Sequence, residues 1–291
     1  MPGSPYVTCS ICGAKSLDPI PTEAYLSAYY NGVYTVPRED LKKSYEKKAP
    51  RILSELRNNV ATGVRLLEIG CSYGFLLDYL RQHGWDVTGV EIDDRAAAFA
   101  RNDLSLNVHT GSLGKARLSP PYDAILSFDV IEHLRYPMDF LRQCRSLLRD
   151  NGIIILTTAN VASWIAKVTG QYWCWHSAPA HIHLPTPRAM ELAAAKSGFQ
   201  VTTLRTERGD AGNNLFECIT ALGRRWRSQG SNVRSRPISN GTRWLVRRVS
   251  AMTDIVYIPF ALTIDVWMAH RLLQPELLLI AKAAKRGDSM Q

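Results

Sequence analysis

Two groups of residues in this chain have the types and spacing that chemistry needs. The first is Gly70-Cys71-Ser72-Tyr73-Gly74, with Glu91 standing 21 residues after Gly70. Glycines at a turn remove the Cβ atoms that would keep a ligand off the backbone, and a carboxylate about 20 residues further on can accept both hydroxyl protons of a ribose diol. The second is Asp129, Glu132 and His133, with His181 and His183 later in the chain. Spacings of three and four put the first three on one side of a helical turn, and such groups serve as general bases or as ligands to a divalent cation.

Both groups need strand ends to hold them. Leu66 to Ile69 is a short apolar run that stops at glycine, as a buried parallel strand does, and Phe75 to Arg81 resumes with helical spacing. The turn between them lies at a strand's carboxyl end, where open α/β sheets bind ligands, and the helix starting near Phe75 aims its free N–H groups at the same place. Trp85 to Glu91 reads as a second strand, Asp94 as the cap of a helix ending near Asn102, and Leu106 to Val108 as a third strand. Ala124 to Phe128 is a fourth, with Asp129 at its carboxyl edge. Pro137 opens a helix through Arg149 with Met138, Leu141, Cys144 and Leu148 on one face, and Asn151-Gly152 ends it before a fifth strand, Ile153 to Thr158. Thr186-Pro187 opens a helix over Ala189 to Lys196, Gly198 stops it, and Phe199 to Leu204 is a sixth strand. Glu276 to Lys282 reads as a closing strand. Upstream, Leu41, Tyr45, Ile52, Leu53 and Leu56 mark an amphipathic helix between Arg38 and Asn59, laid over the sheet.

Glu68-Ile69-Gly70-Cys71-Ser72-Tyr73-Gly74, then Glu91, then Tyr122 to Leu134, resemble the successive motifs of class I S-adenosylmethionine-dependent methyltransferases. The resemblance implies a Rossmann-like, doubly wound α/β fold, a mostly parallel seven-stranded sheet whose last strand is antiparallel, with a helical C-terminal insertion. It implies cofactor contacts from Glu68, Gly70, Cys71, Ser72, Gly74, Glu91, Ile92 and Asp129, with Ser112 and Leu113 beside the adenine. Ser72 stands where the family more usually has glycine. Gly70-x-Ser72-x-Gly74 also matches the nucleophile elbow of α/β-hydrolases, but no His-Gly-Gly segment precedes residue 66 and Glu91 would have no role there.

Methyl transfer from a sulfonium is an in-line displacement that asks for alignment and exclusion of water, and an oxygen acceptor must also lose its proton. Asp129, Glu132, His133 and His181 are similar to the set that binds a divalent, Mg²⁺-type cation in small-RNA 2′-O-methyltransferases and ubiquinone-pathway O-methyltransferases. Without a metal, His133 or His181 is the candidate general base. A third role for Glu132-His133 is to fasten a helix start. The aromatic stretch Trp164 to His183, with Tyr172-Trp173-Cys174-Trp175-His176, either stacks a sugar, quinone or base or plugs the fold.

The 291 residues, 46% hydrophobic and 21% charged, suit one α/β core with appendages and argue against disorder. Residues 1–36 form a leader with Cys9-Ser10-Ile11-Cys12-Gly13, half of a zinc ligand set. It is similar to the second half of the zinc-ribbon leader of some methyltransferases of sugar and cell-surface pathways; the alternative is two reduced thiols, with Cys71, Cys144, Cys174 and Cys218 buried or semi-buried. Residues 37–205 then form the methyltransferase domain, 206–274 an insertion and 275–284 the closing strand. Nearly all of the net charge of +9 resides between Leu222 and Val249, inside that insertion, where Arg224, Arg225, Arg227, Arg234, Arg236, Arg243, Arg247 and Arg248 occur without an acid. Residues 222–273 read as a helical lid with a basic linker or as a peripheral membrane contact, the uncharged run Ile255 to Ile264 being too short to span a bilayer. No apolar signal core opens the chain, which places it in the cytoplasm or at the inner membrane surface. The expected acceptor is a hydroxyl on a sugar, glycan or lipid-linked molecule. RNA or quinone-type O-methylation is the alternative, and a non-catalytic cofactor-binding module a further one.

Overall fold

In the computed structural model, residues 5–32, 38–61, 64–207 and 276–285 are described. The chain opens with β1 (Tyr6–Thr8) and β2 (Lys15–Leu17), then α1 (Glu23–Gly32) and α2 (Arg38–Asn59). The alternating core follows as β3 (Arg65–Ile69), α3 (Phe75–Gln82), β4 (Asp86–Glu91), α4 (Asp94–Asn102), β5 (Val108–Thr110), β6 (Tyr122–Phe128), α5 (Pro137–Leu147) and β7 (Leu148–Ala159). The remaining elements are α6 (Trp164–Thr169), β8 (His183–Leu184), α7 (Pro187–Lys196), β9 (Phe199–Glu207) and β10 (Glu276–Ala283).

Seven strands form one sheet in the order β5-β4-β3-β6-β7-β10-β9, the first five parallel and β10 antiparallel to both neighbours. This is the expected doubly wound α/β sheet, and its order reverses between β3 and β6. Successive strand residues point to opposite faces, so Leu66 packs with α2, α3 and α4 while Leu67 and Ile69 pack with α5 and α7. Both faces are covered, which is why the strands read as apolar runs without polar alternation.

Several boundaries differ from the sequence reading, the sixth strand running on to Glu207 among them. Asp93 rather than Asp94 caps α4, its carboxylate accepting from the N–H groups of Arg95 and Ala96. The third strand lies two residues later, at Val108–Thr110. Helix α5 stops at Leu147, and Asn151-Gly152 sits inside β7, where pairing with β6 jumps from Leu148 to Ile153. Asn151 there takes a left-handed φ of 62°. The basic insertion, including Cys218 and residues 222–273, lies outside the described residues. Among the described residues no helix is long and apolar enough to cross a membrane.

The leader is built into the fold. Strands β1, β2 and β8 form a second, three-stranded sheet, and Tyr6, Leu17 and Leu26 share a core with Ile165, Trp173, Ile182 and Leu184. Cys71 and Cys144 are buried as expected, whereas Cys174 is exposed.

Gly89 in β4 shows how tight the central sheet is. A Cβ there would meet Cys71 Sγ at 2.7 Å, Leu77 Cδ1 at 2.8 Å and Val108 Cγ2 at 3.0 Å. Gly89→Ala is expected to cost about 1–3 kcal/mol, the usual range for overpacking, read as a lower denaturant midpoint at unchanged slope. An unchanged midpoint would mean that these neighbours give way easily.

Candidate functional site

The first motif occupies the turn between β3 and α3, at the point where strand order reverses. Gly70 and Gly74 take left-handed φ values of 81° and 77°. The reason for glycine differs from the expected one: a Cβ on Gly70 would strike Val130 Cγ2 at 2.5 Å, and one on Gly74 would strike Leu106 Cδ1 at 2.6 Å. These glycines fit the loop against its own protein. Ser72 between them is also left-handed, at φ 49°, which explains why glycine is the more usual residue there. Ser72→Gly is expected to stabilise the protein by about 1 kcal/mol, relief of the left-handed cost less the entropy that glycine adds to the unfolded chain. A fall in thermal midpoint would instead assign the Ser72 hydroxyl a bond of its own.

Glu91, at the end of β4, anchors this loop. Its Oε2 accepts the Ser72 N–H at 2.6 Å and its Oε1 the Asp93 N–H at 2.9 Å. Burial raises its pKa against these hydrogen bonds, which lower it. A carboxylate has about four acceptor positions, so these bonds do not exhaust Glu91 as an acceptor. Glu68, at the end of β3, is fully buried, and neither of its oxygens has a protein partner. Burial, then the charge of Glu91, pushes its carboxyl up to about 8. Such an orphan is costly unless something else satisfies it, and a cationic ligand does so. Cys71 is buried behind the loop. Ile92, an apolar side chain left 64% exposed next to Glu91, gives the crevice an apolar lip. Ser112 and Leu113 follow β5 at the same sheet edge, Ser112 exposed and Leu113 half-buried. The predicted cofactor residues therefore gather at the carboxyl ends of β3 to β6.

Tyr45 and Lys48 on α2 join them, which the sequence did not disclose. The Tyr45 hydroxyl is buried, and its pKa is raised first by burial and then by Glu68, Asp129, Cys71 and Glu91. Lys48 Nζ lies 4.0 Å from Asp129 Oδ2. In the sequence Tyr45 belongs to the apolar stripe of α2, a pattern that core packing explains as well.

The second group lies beyond β6. Asp129 takes a left-handed φ of 54°, and its Oδ1 accepts from Thr157 Oγ1 at 3.0 Å. A short 3₁₀ turn, Ile131–His133, follows. Glu132, Nδ1 or Nε2 of His133 and of His181 offer ligand atoms that all lie within 4.8 Å of one another, and Asp129 is not among them. Asp129, expected in the metal set, stands outside this group of three, its carboxylate engaged by Thr157 Oγ1 and 4.0 Å from Lys48 Nζ. His183 is also elsewhere, its ring engaged with Ser16 Oγ at 2.8 Å.

Three contacts orient the group that remains. Thr158 Oγ1 donates to Glu132 Oε2 at 2.9 Å, while Glu132 Oε1 is buried without a protein partner. The Ala180 carbonyl receives His133 Nδ1–H at 2.8 Å and the Trp175 carbonyl receives His181 Nδ1–H at 2.8 Å. A carbonyl only accepts, so in each neutral ring the lone pair sits on Nε2. Burial depresses both imidazoles, His181 down to about 4 with His133 as the next cause, and burial with Asp129 raises Glu132 well above the usual carboxyl range. Both rings are therefore neutral at pH 7, as a base or a metal ligand must be. The orphaned Glu132 oxygen and two oriented imidazoles fit a divalent cation of the zinc or iron class better than Mg²⁺, which prefers oxygen. Trp175 stacks on His181, centroids 4.9 Å apart and planes at 25°.

A family model described as a methyltransferase domain matches residues 39–204. The chain belongs to this family. The match spans the whole crevice from α2 to β9 and removes the hydrolase alternative, for which no hydrogen bond joins Ser72 Oγ to a histidine among the described residues. Among curated proteins, the ubiquinone biosynthesis O-methyltransferase of Roseobacter denitrificans is 33% identical over 104 residues, covering 34% of this chain and 42% of that protein. The mitochondrial enzyme of the same name from Arabidopsis thaliana is 26% identical over 153 residues, covering 48% of each chain. The match thus spans less than half the length of these relatives. Among solved structures, phosphoethanolamine N-methyltransferase 2 of Haemonchus contortus, in complex with S-adenosyl-L-methionine, aligns with a TM-score of 0.56 at 15% identity. It covers 93% of this chain and 62% of that one. A SAM-dependent methyltransferase from Archaeoglobus fulgidus aligns at 0.50 and 17%, covering 90% and 100%. These likenesses establish a shared fold.

Proposed function

We propose that this protein transfers the methyl group of S-adenosylmethionine to a hydroxyl of a small aromatic, quinone-type acceptor. The observation that carries the reading is the meeting of His133, His181 and Glu132 within 4.8 Å, next to the crevice formed by Glu68, Gly70 and Glu91. The relatives named for ubiquinone biosynthesis favour this acceptor over the sugar or glycan expected from the leader. The stacked Trp175–His181 pair offers a flat acceptor an aromatic face beside an imidazole.

Bound S-adenosylmethionine supplies an electrophilic methyl group and a neutral thioether leaving group. The chain's own residues do the rest. Glu91 accepts the ribose hydroxyls, Glu68 faces the cationic end, and α2 with Tyr45 closes over both and keeps water out. His181 or His133 takes the acceptor's proton on Nε2, the nitrogen that its carbonyl partner leaves basic. In place of such a base, Glu132, His133 and His181 would hold a divalent cation through those same Nε2 lone pairs, and it would supply Lewis acidity toward the acceptor oxygen.

The test is methyl-labelled S-adenosylmethionine offered with phenolic quinone precursors, with glycan fractions and with RNA, each with and without chelator. Label confined to the aromatic acceptor is expected. Label in glycan or RNA would overturn the acceptor assignment, and none anywhere, despite cofactor binding, would favour a non-catalytic module.

A further inference from the structure

The leader lies ahead of residues 39–204, the span that the methyltransferase family model matches, yet it is bonded to the segment that carries His181. Strand β2 pairs with β8 through Lys15 opposite Leu184 and Ser16 opposite His183. Leu17 N–H donates to the Ile182 carbonyl at 2.9 Å, and Thr186 Oγ1 donates to the Cys12 carbonyl at 2.6 Å. From β1, the Tyr6 hydroxyl donates to the His181 carbonyl at 2.7 Å, across 175 positions of sequence.

A peptide unit is planar, so its carbonyl and its N–H turn together. The unit joining His181 to Ile182 is held at both: Tyr6 takes the carbonyl, and the Ile182 N–H donates to the Glu132 carbonyl at 2.8 Å. One rigid plane thus runs between the leader and the turn that carries Glu132 and His133. Other contacts of His181 come from its own loop. Its N–H donates to the Ser177 carbonyl at 3.1 Å, its Nδ1–H donates to the Trp175 carbonyl at 2.8 Å, and its ring stacks on Trp175. Tyr6 supplies a hold from outside both the loop and the turn. Packing does not account for its hydroxyl. Tyr6 is 8% exposed, shares a core with Leu17, Leu26 and Trp173, and its ring lies 5.1 Å from that of His176. Phenylalanine would fill the same space with no polar atom to satisfy. The hydroxyl is what reaches the His181 carbonyl.

We infer that Tyr6 is a positioning residue for methyl transfer: by holding the His181 carbonyl it fixes where His181 Nε2 stands against the acceptor. The inference rests on the reading of His181 as the acceptor's base or as a ligand to the cation that replaces it. Either role needs a fixed Nε2, because a reacting group displaced by about 1 Å can lose on the order of 10²-fold in rate. The leader then works as part of the acceptor side.

The test uses the full chain and Tyr6→Phe, which keeps the ring and removes one hydrogen bond. Ser16→Ala is the control, since it removes a leader bond to His183, outside the group of three. Unchanged S-adenosylmethionine affinity establishes that both variants fold. Tyr6→Phe is expected to lower kcat about tenfold with KM for the cofactor unchanged, and Ser16→Ala to leave kcat at the wild-type value. In a His181→Ala background Tyr6→Phe should have no further effect, since it acts through His181. An unchanged kcat in Tyr6→Phe, an equal fall in Ser16→Ala, or a further fall in the His181→Ala background would overturn the proposal. Nitrogen NMR signals of the His181 ring give a readout without turnover. The wild type at pH 7 should show Nδ1 protonated and Nε2 bare, and Tyr6→Phe should move both toward the average of mixed tautomers. Averaged signals already in the wild type, or identical signals in the variant, would overturn the proposal as well. If the ring responds as expected while no acceptor is methylated, the hold of Tyr6 on His181 stands and the activity reading falls. If an acceptor is methylated while neither kcat nor the ring responds, the activity stands and the positioning role falls.

Discussion

Replacing His181 by alanine is expected to slow methyl transfer by about 10²–10⁴-fold while leaving cofactor affinity unchanged, because the loss of a positioned acid–base group has that magnitude. His181 is delivered by the loop before β8, whereas the residues proposed to hold the cofactor stand at the ends of β3 to β6. The two functions are therefore separable in binding and turnover measurements. Glu132→Gln tells the two chemistries apart. The amide keeps an oxygen to accept from Thr158 but loses the charge that a cation needs. If imidazole alone takes the proton, this variant retains most of the activity; if a cation is required, it falls as far as His181→Ala, and chelation of the wild type does the same. Full activity of both His133→Ala and His181→Ala would reduce Glu132-His133 to a fastening of the 3₁₀ turn.

What the sequence disclosed and what it hid follow from the range of the interactions. Glycine-terminated apolar runs, the Thr186 cap and the stripe on α2 are local patterns, and the central sheet from β3 to β9 was legible from them. The leader sheet was not. Its strands are two or three residues long, rich in polar side chains, and Ser16 pairs with His183 across 167 positions. No period of 2 or 3.6 can emerge from so short a segment. The same distance hid the meaning of the first glycines. Their requirement comes from Val130 and Leu106, side chains of other elements. At the second group the spacing was informative but overcounted: Asp129 shares the stretch with Glu132 yet stands outside the group of three, and its left-handed φ of 54° has no marker in sequence when the residue is not glycine. Tyr45 shows the converse. Its hydroxyl reaches an acidic crevice, but in sequence an aromatic on a helical stripe is indistinguishable from core.

Glu68 is expected to make cofactor binding depend on pH. Without ligand its carboxyl titrates near 8, so at pH 7 it is mostly protonated in the folded protein. S-adenosylmethionine is cationic at its sulfonium and its ammonium, and either charge next to a buried carboxyl favours the ionised form. Binding then releases a proton below pH 8, and by linkage the affinity must rise with pH, approaching tenfold per unit between the ligand-bound pKa and about 8, then level off. If the ligand returns Glu68 to the ordinary carboxyl range, Kd falls on the order of 10²–10³ between pH 5 and pH 8. Calorimetry in buffers of different ionisation enthalpy reads the released proton directly. Glu68→Gln should abolish the release and flatten the profile, with Kd at pH 8 weakened toward the wild-type value at pH 5. An unaltered slope in Glu68→Gln would transfer the proton to Glu91, whose charge is the second cause of the shift and whose own pKa is raised by the same burial. Glu91→Gln would then remove the slope, and the cationic end of the cofactor would belong at β4 instead of β3.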